Sequence, residues 1–525
     1  MSSPDSIWAA LGHRTFRRLW LASVALNLTI WMQSVGAAWL MVSLTTSPLM
    51  VALIQTASAL PSFLFALPAG VMADLLDRRR YLMSVLVFMV LCAALLCLLS
   101  AGGNLGPWTL LLLTFCLGTG FALQGPAWFT AQAESVPHPL LASALALSAL
   151  SYSSARAVGP AAAGAVVSTA GVLAVFVLSA LLLGAALLVV ACWKNPKAVH
   201  QLPPENLLAG INSALRYVRH SHMMKVQIVR TVLFVGTASA LWALLPLLAG
   251  SGAGAYGLLL GSMGAGSVAG ALLLPKLKDR VDINRMMALA VVVYALATLA
   301  AAFLHSLPLL CVALALSGVA WICVGNTNML ALQSAVPGWI RARSLAVFML
   351  SFQGAMAAGS AFWGAVATHA GAKPTLAASA ALMALVMFAM HRLPARLGEL
   401  PEVTAAGDAL HGEQAFDDLP EGASIAVQIS YQVAPEQRDE FVRLAYAIGK
   451  VRRRDGASLW RLYRALGSEA GYVERFVVDS WHQYLRQRGR ATMADLAAER
   501  KLWSLHSGSA PPRIEHFVSE AHPAG

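Results

Sequence analysis

The sequence predicts an all-α polytopic membrane protein with twelve transmembrane helices in two parallel six-helix halves, followed by a small α+β domain. Three observations predict it. Of 525 residues, 58% are apolar and only 12% are charged, against about 45–50% and about 25% in soluble domains. Apolar runs of the roughly 20 residues that cross a bilayer recur along the first three quarters of the chain. Residues of the first half also reappear in the second at a constant offset of 200 positions.

Composition sets the outer limits. Residues 1–400 hold 22 Lys and Arg against 8 Asp and Glu, whereas residues 401–525 hold 15 against 17. The basic excess belongs to the apolar part, where it reads as membrane orientation and not as nucleic-acid binding. The polar tail reads as a separate soluble domain. Cys92, Cys97, Cys116, Cys192, Cys311 and Cys323 all stand in apolar runs and read as small hydrophobes. No metal site and no cofactor is expected. No Gly-rich phosphate loop ending in Lys-Ser or Lys-Thr occurs, which argues against ATP hydrolysis. Arg14, Arg17 and Arg18 precede an apolar run that continues past Leu40. That run is too long for a signal core and is expected to be the first span.

The spans are expected near 18–43, 49–73, 81–100, 107–130, 141–167 and 171–193, then 227–249, 254–275, 286–304, 308–331, 344–368 and 374–391. Basic residues fall on alternate loops: Arg78–Arg80, Lys194 to Lys225, Lys276 to Arg285, Arg341 with Arg343, and Arg392 with Arg396. The opposite loops hold a single Lys373. Basic loops stay in the cytoplasm, which places both termini there and requires an even number of spans. The expected organisation is an N-terminal half over 1–193, a cytoplasmic connector over 194–225, a C-terminal half over 226–396, a linker over 397–422 and a tail domain over 423–525.

The repeat supplies the architecture. Gly70, Gly118, Gly125 and Val136-Pro137 fall on Gly270, Gly318, Gly325 and Val336-Pro337. Gly159, Gly164 and Gly171 fall on Gly359, Gly364 and Gly371. Six spans separate the copies, so both keep the same orientation, the arrangement of parallel halves related by an axis along the membrane normal. A substrate cavity is expected between the halves, near mid-membrane.

Two motifs carry the family reading. Gly70-Val-Met-Ala-Asp74-Leu-Leu-Asp77-Arg78-Arg79-Arg80 ends the second span. A Gly there allows a close helix approach, and the charges can pair with neighbouring helix ends as a conformational gate. This stretch resembles the major facilitator superfamily motif G-x-x-x-D-R-x-G-R-R. Leu75 stands in place of the first Arg and Asp77 in place of the loop Gly. Three further stretches are similar to the transmembrane secretion effectors, the group that includes enterobactin-exporter-like proteins. They are Gln124-Gly-Pro126-Ala-Trp128, Ala155-Arg156-Ala-Val-Gly159-Pro160 with Gly164, and Val336-Pro-Gly-Trp339-Ile-Arg341-Ala-Arg343. The resemblance implies the major facilitator fold and efflux of a siderophore, drug or metabolite by alternating access. It also implies proton coupling and residence in the bacterial inner membrane. Gly159, Pro160 and Gly164 match the fifth-helix pattern of the superfamily's exporters, with Ala155 where its first Gly would stand.

Polar residues inside spans need a reason, because a charge at bilayer depth costs about 2.5–3.5 kcal/mol on insertion scales. Arg156 lies well inside the fifth span and is expected to face the cavity or a polar partner. Asn27, Trp31, Gln33, Gln55, Gln124, Trp128, Asn326, Asn328 and Gln353 are the cavity candidates, with Trp39, Trp242 and Trp321 as further aromatic ones. No carboxylate stands at the centre of any span. Glu134 and Asp74 are therefore the coupling candidates.

In the connector, Leu207, Leu208, Ile211, Leu215 and Val218 form one side of an amphipathic helix, with Arg216 and Arg219 on the other. In the tail, alternation predicts strands over 425–431, 459–466, 472–478 and 514–518, with helices over 435–450 and 481–505. That βαββαβ order is ferredoxin-like and resembles the antibiotic-biosynthesis monooxygenase-like fold, which implies a homodimer through the tail. Arg452-Arg-Arg454 reads as a solvated basic turn. Trp481, His482 and His506 form no catalytic set. The expected partners are a small-molecule substrate and the lipid bilayer. The chain is not read as an enzyme. A membrane-anchored sensor or enzyme acting through the tail, or an importer of the same fold, are the competing readings.

Overall fold

The computed structural model describes residues 7–193, 216–249, 252–278, 283–337, 341–391, 423–468 and 470–520. Most of the connector, with the amphipathic helix expected in it, and the whole linker lie outside the described residues. The chain divides into two compact units: Met1–Leu202 with Ile228–Asn328 and Phe348–Pro394, and Pro203–Gln227 with Met329–Val347 and Ala395–Gly525.

The first unit is helical. Helices α1 (Arg14–Leu44), α2 (Pro48–Leu75), α3 (Arg78–Ala101) and α4 (Pro107–Glu134) follow one another through short turns. Proline opens α2 and α4, where its missing N–H leaves no intrahelical bond unmade. The run Leu141–Ala191 is assigned as one helix of 51 residues, against the two separate spans expected. It breaks at Gly171, whose φ of 80° is a left-handed conformation that suits glycine. We label its two arms α5 (141–170) and α6 (172–191). Helices α7 (His222–Leu248), α8 (Ala253–Lys278), α9 (Ile283–Phe303), α10 (Leu307–Ala335), α11 (Arg341–Ala370) and α12 (Ala372–His391) complete the set. Gly371, between α11 and α12, has a φ of 83°. The two breaks are 200 positions apart, so the repeat is present in the backbone as well as in the letters.

Among the described residues, ten helical runs are long and apolar enough to cross a membrane, counting Leu141–Ala191 once. Ala372–Phe388 is a shorter apolar helix. Leu98, Leu112, Leu181, Leu188, Leu272 and Leu385 are large, apolar and exposed, as lipid-facing side chains are.

Glycines set the helix crossings. A Cβ on Gly118 of α4 would lie 3.2 Å from the Ala57 carbonyl oxygen of α2, and Gly318 of α10 lies hard against Met263 and Ser267 of α8. Gly159 of α5 receives Trp31 of α1, and Gly359 of α11 receives Gly236 and Ser239 of α7. Each crossing in one half thus has its counterpart in the other. With no hydrophobic drive between helices in lipid, such small-residue contacts are what let backbones approach and dispersion hold them.

In the second unit, β1 (Ile425–Gln432), α13 (Arg438–Asp455), β2 (Leu459–Arg464), β3 (Gly471–Val478), α14 (Trp481–Gly489), α15 (Met493–Trp503) and β4 (Arg513–Val518) follow in order. The sheet order is β2-β3-β1-β4, antiparallel throughout. Alternating Ile425, Val427, Ile429 and Tyr431 face the helices with Phe441, Ile448 and Phe476. The single helix expected over 481–505 is two. Thr492 caps α15 in a reciprocal box with Asp495, which restarts the helix after Gly489.

The arginine triplet is not a solvated turn. Arg452 belongs to the last turn of α13 and is buried. Its guanidinium meets Glu499 at 2.5 Å and the fully buried Glu474 at 3.5 Å. Arg454 pairs with Asp455 at 2.8 Å and Asp495 at 2.6 Å, and stacks over Tyr217, whose hydroxyl burial pushes up to about 12.

Burial pushes the Asp455 carboxyl up to about 6 against the pull of Arg454. Burial also pushes Glu499 up, but Arg452 and Arg488 outweigh it and leave that carboxyl below its ordinary value. The signs are opposite. The folded tail holds a proton on Asp455 that the unfolded chain releases, so Asp455 adds stability as pH falls from about 6 towards 4. Glu499 adds stability above about 4.5 and loses it below. Tail stability is therefore expected to rise by about 1–3 kcal/mol from pH 7 to pH 5 and then to fall. Asp455→Asn should flatten the rise. Hydrogen-exchange protection of β1 and β3 in the full-length protein, corrected for intrinsic rates, measures both.

Candidate functional site

A cavity of about 360 Å³ lies within the first unit, inside the roughly 300–1,000 Å³ range of small-molecule sites. Helices of both halves line it. Trp31 and Gln33 come from α1, Gln55 from α2, Tyr152 and Arg156 from α5, Trp242 from α7, Trp321 from α10, and Phe352 with Gln353 from α11. Helical spacing explains the set. Gln55, Ser58 and Ser62 rise on one face of α2, as Thr114, Gly118 and Phe121 do on α4.

Among the described residues of the lining, Arg156 is the charged one, and none is Asp or Glu. Its guanidinium carbon lies 5.7 Å from the Trp31 ring and 5.6 Å from the Trp242 ring. Cation–π contact of this kind contributes about 0.5–2 kcal/mol per ring, which offsets much of the cost of the buried charge. The aromatic wall continues from Trp31 to Trp242 (6.4 Å between centroids), from Trp242 to Trp321 (5.4 Å) and from Trp321 to Phe352 (5.9 Å).

Of the sequence candidates, Trp31, Gln33, Gln55, Arg156 and Gln353 meet here, with Trp242 and Trp321. The others do not. Asn27 donates to Ser151 at 3.0 Å and ties α1 to α5. Asn328 donates to Thr231 at 3.4 Å and ties α10 to α7. Gln124 and Trp128 are buried in α4 and are not among the residues that line the cavity, and Asn326 is exposed. Tyr152 and Phe352 were missed. Tyr152 carries a usable signal, since it stands one helical turn before Arg156 on the same face.

The loop motif is also resolved into parts. Asp77 caps α3 by accepting from the Arg80 N–H at 2.9 Å, so it serves a helix end in place of an arginine partner. Arg78 pairs with Glu134 at the end of α4, and Arg79 donates to the Ala191 carbonyl at the end of α6. A Cβ on Gly70 would meet nothing within 4 Å, so this glycine does not seat a neighbouring helix as expected. The Asp74 side chain lies outside what the structure describes.

The halves touch at the helix ends remote from the basic loops. A Cβ on Gly164 of α5 would lie 2.6 Å from the Gly257 Cα of α8, and Gly261 and Gly264 of α8 continue the contact to Ala161 and Arg156. Gly364 of α11, the repeat partner of Gly164, meets Ala52 and Leu49 of α2. Thr56 of α2 donates to the Ala357 carbonyl of α11 at 2.9 Å. Arg156, Pro160 and Gly164 of the helix-5 motif thus lie on the seam between halves, whereas Gly159 packs on α1 within its own half.

Comparison with solved structures agrees on the fold. A mutant of the nucleoside transporter NupG superposes with a TM-score of 0.62 at 13% identity, covering 72% of this chain and 100% of that one. A bacterial homolog of the human lysosomal transporter Spinster, inward-facing and unoccupied, gives 0.60 at 13%, covering 73% and 96%. A POT family transporter in complex with 5-aminolevulinic acid gives 0.58 at 10%, covering 74% and 97%. No curated protein sequence matches. Two sets of apolar helices joined at glycine seams around a polar and aromatic cavity share the fold of these transporters, and together with a family match they define a membrane transporter of the major facilitator type. A family profile described as transmembrane secretion effector matches residues 5–524, and the chain belongs to that family.

Proposed function

We propose that this protein exports a small molecule across the bacterial inner membrane by alternating access. In this reading twelve spans place both termini in the cytoplasm, and the tail is a cytoplasmic ferredoxin-like domain. The observation that carries the reading is the cavity lined by both halves, closed at the ends remote from the basic loops by the paired Gly164 and Gly364 contacts. With basic loops inside, this is the inward-open state, which loads substrate from the cytoplasm. The family supports efflux of the siderophore, drug or metabolite class, as in its enterobactin-exporter-like group. Proton coupling is assigned to Glu134, whose pairing with Arg78 at the loop gate a proton would break.

The test compares metabolites inside and outside a knockout and its parent. Uptake into inverted vesicles under an imposed pH gradient is then measured for the compound the knockout retains. Uptake is expected to collapse with a protonophore and to fall by at least about tenfold in Glu134→Gln. A knockout that retains nothing, with no uptake by vesicles, removes the exporter reading. Uptake insensitive to the gradient removes the coupling.

A regulatory role for the tail is a second reading, favoured by Tyr217 of the connector packed under Arg454 and by Arg216 donating to the Gly456 carbonyl at 3.4 Å. Deleting 423–525 separates the two. Transport that persists but loses its response to conditions supports regulation. Loss of a chemical activity with no transport phenotype supports an enzyme or sensor.

A further inference from the structure

Resting on the cavity as the transport site, we propose that its substrate is an aromatic acid: an organic anion whose carboxylate sits beside a planar ring. Arg156 is the anion-binding group, and Trp242, Trp321 and Phe352 form the ring-binding wall. Among the described residues the lining carries one cation and no carboxylate, so none of them compensates its charge. The Arg156 Nε is buried and has no hydrogen-bond partner among the described residues. The guanidinium carbon of Arg156 lies over the Trp31 and Trp242 rings, which supply no hydrogen-bond acceptor of the carboxylate kind. The rings stabilise the charge without satisfying the Nε–H, and a fork of guanidinium N–H donors is what a carboxylate accepts. An anion arriving there lies edge-on to the guanidinium, between rings from both halves, and its own ring meets the continuation of the aromatic wall at Trp321 and Phe352. A cationic substrate would be repelled by Arg156, and a purely aliphatic one would leave the aromatic wall unused.

The experiment measures binding of radiolabelled 1-naphthoate to the full-length protein in nanodiscs. The neutral isostere 1-naphthamide and the ring-free anion cyclohexanecarboxylate are competitors. Naphthoate is expected to bind at least about tenfold more tightly than either. Arg156→Gln should weaken naphthoate by at least about tenfold and leave naphthamide within about threefold. Trp242→Leu should weaken naphthoate and spare cyclohexanecarboxylate. If Arg156→Gln does not fold, Arg156→Lys should keep the preference for acid over amide while losing affinity, because its point charge lacks the fork. Equal affinity for acid and amide, or naphthoate binding unchanged in both Arg156 variants, overturns the inference. The two readings fail separately. Selective binding without efflux of any compound removes the transport reading alone. Efflux of neutral or cationic compounds undiminished in Arg156→Gln removes the aromatic-acid inference alone.

Discussion

Gly164→Leu is expected to cut transport by at least about tenfold while the protein still inserts and purifies as a folded bundle. A Cβ at Gly164 would lie 2.6 Å from the Gly257 Cα, and one at Gly257 would lie 2.8 Å from the Pro160 carbonyl oxygen. These are backbone-on-backbone contacts, so no rotamer change relieves them. Overpacking inside a fixed core costs about 1–3 kcal/mol or more. In the proposed alternating-access cycle the seam joins two halves that separate, and parting them relieves the clash without unfolding either. The substitution therefore acts on the equilibrium between states. Moving a two-state balance from one side to the other takes about 5.5 kcal/mol. A leucine in a seam of this closeness supplies a large part of that. Cysteines at Ser168 and Gly254 measure it directly, because a Cβ at Gly254 would lie 3.6 Å from the Ser168 Cβ, within disulfide range. The cross-link should form readily in the parent and be lost with Gly164→Leu. Gly70→Ala, which meets open space, should leave both cross-linking and transport unchanged. A cross-link that persists beside normal transport would refute the seam.

What the sequence discloses follows from how locally each feature is encoded. Apolar runs and proline-opened helices are written in contiguous residues, and they give the spans. The 200-residue offset is written in glycines, and glycines are where backbones approach or turn left-handed. Gly171 and Gly371, and Gly164 and Gly364, therefore align in geometry as well as in register. Partner identity is not local. Nothing in 155–164 says that Gly164 faces α8 of the other half, because the choice among neighbours is made by tertiary packing. For the same reason Gln124 and Trp128 read as cavity residues although the cavity lining on α4 ends at Phe121, and Asn326 is exposed beside the buried Asn328. The motif glycine at 70 misleads in the opposite sense, since small size permits a close approach without requiring one.

The arginine triplet shows the same limit in the tail, and it carries the largest stability effect expected there. A run of three basic residues reads as solvated because the acidic partners of Arg452 lie 22 and 47 residues further along the chain. In the fold, Arg452 sits between Glu474 and Glu499 and over the Phe476 ring at 5.1 Å. Glu474 also accepts from the Tyr431 hydroxyl at 3.0 Å and the Trp460 Nε1–H at 2.9 Å, so three donors surround a carboxylate with no access to water. Arg452→Met removes the cation and leaves Glu474 charged in an apolar core. Breaking one partner of a buried pair costs about 3–5 kcal/mol, more than the pair itself contributes. Removing the second charge should therefore restore stability. Arg452→Met with Glu474→Gln is expected to recover at least about half of the loss, since the amide oxygen still accepts from Trp460 and the amide NH2 can donate to the Tyr431 hydroxyl oxygen without carrying a charge. Hydrogen exchange of β1 and β3 in the full-length protein reads both values. A single variant within about 0.5 kcal/mol of the parent would mean that water reaches Glu474 and that the ionic core is a surface pair. A double variant no better than the single would mean that Arg452 acts through its packing on Phe476 and not through its charge.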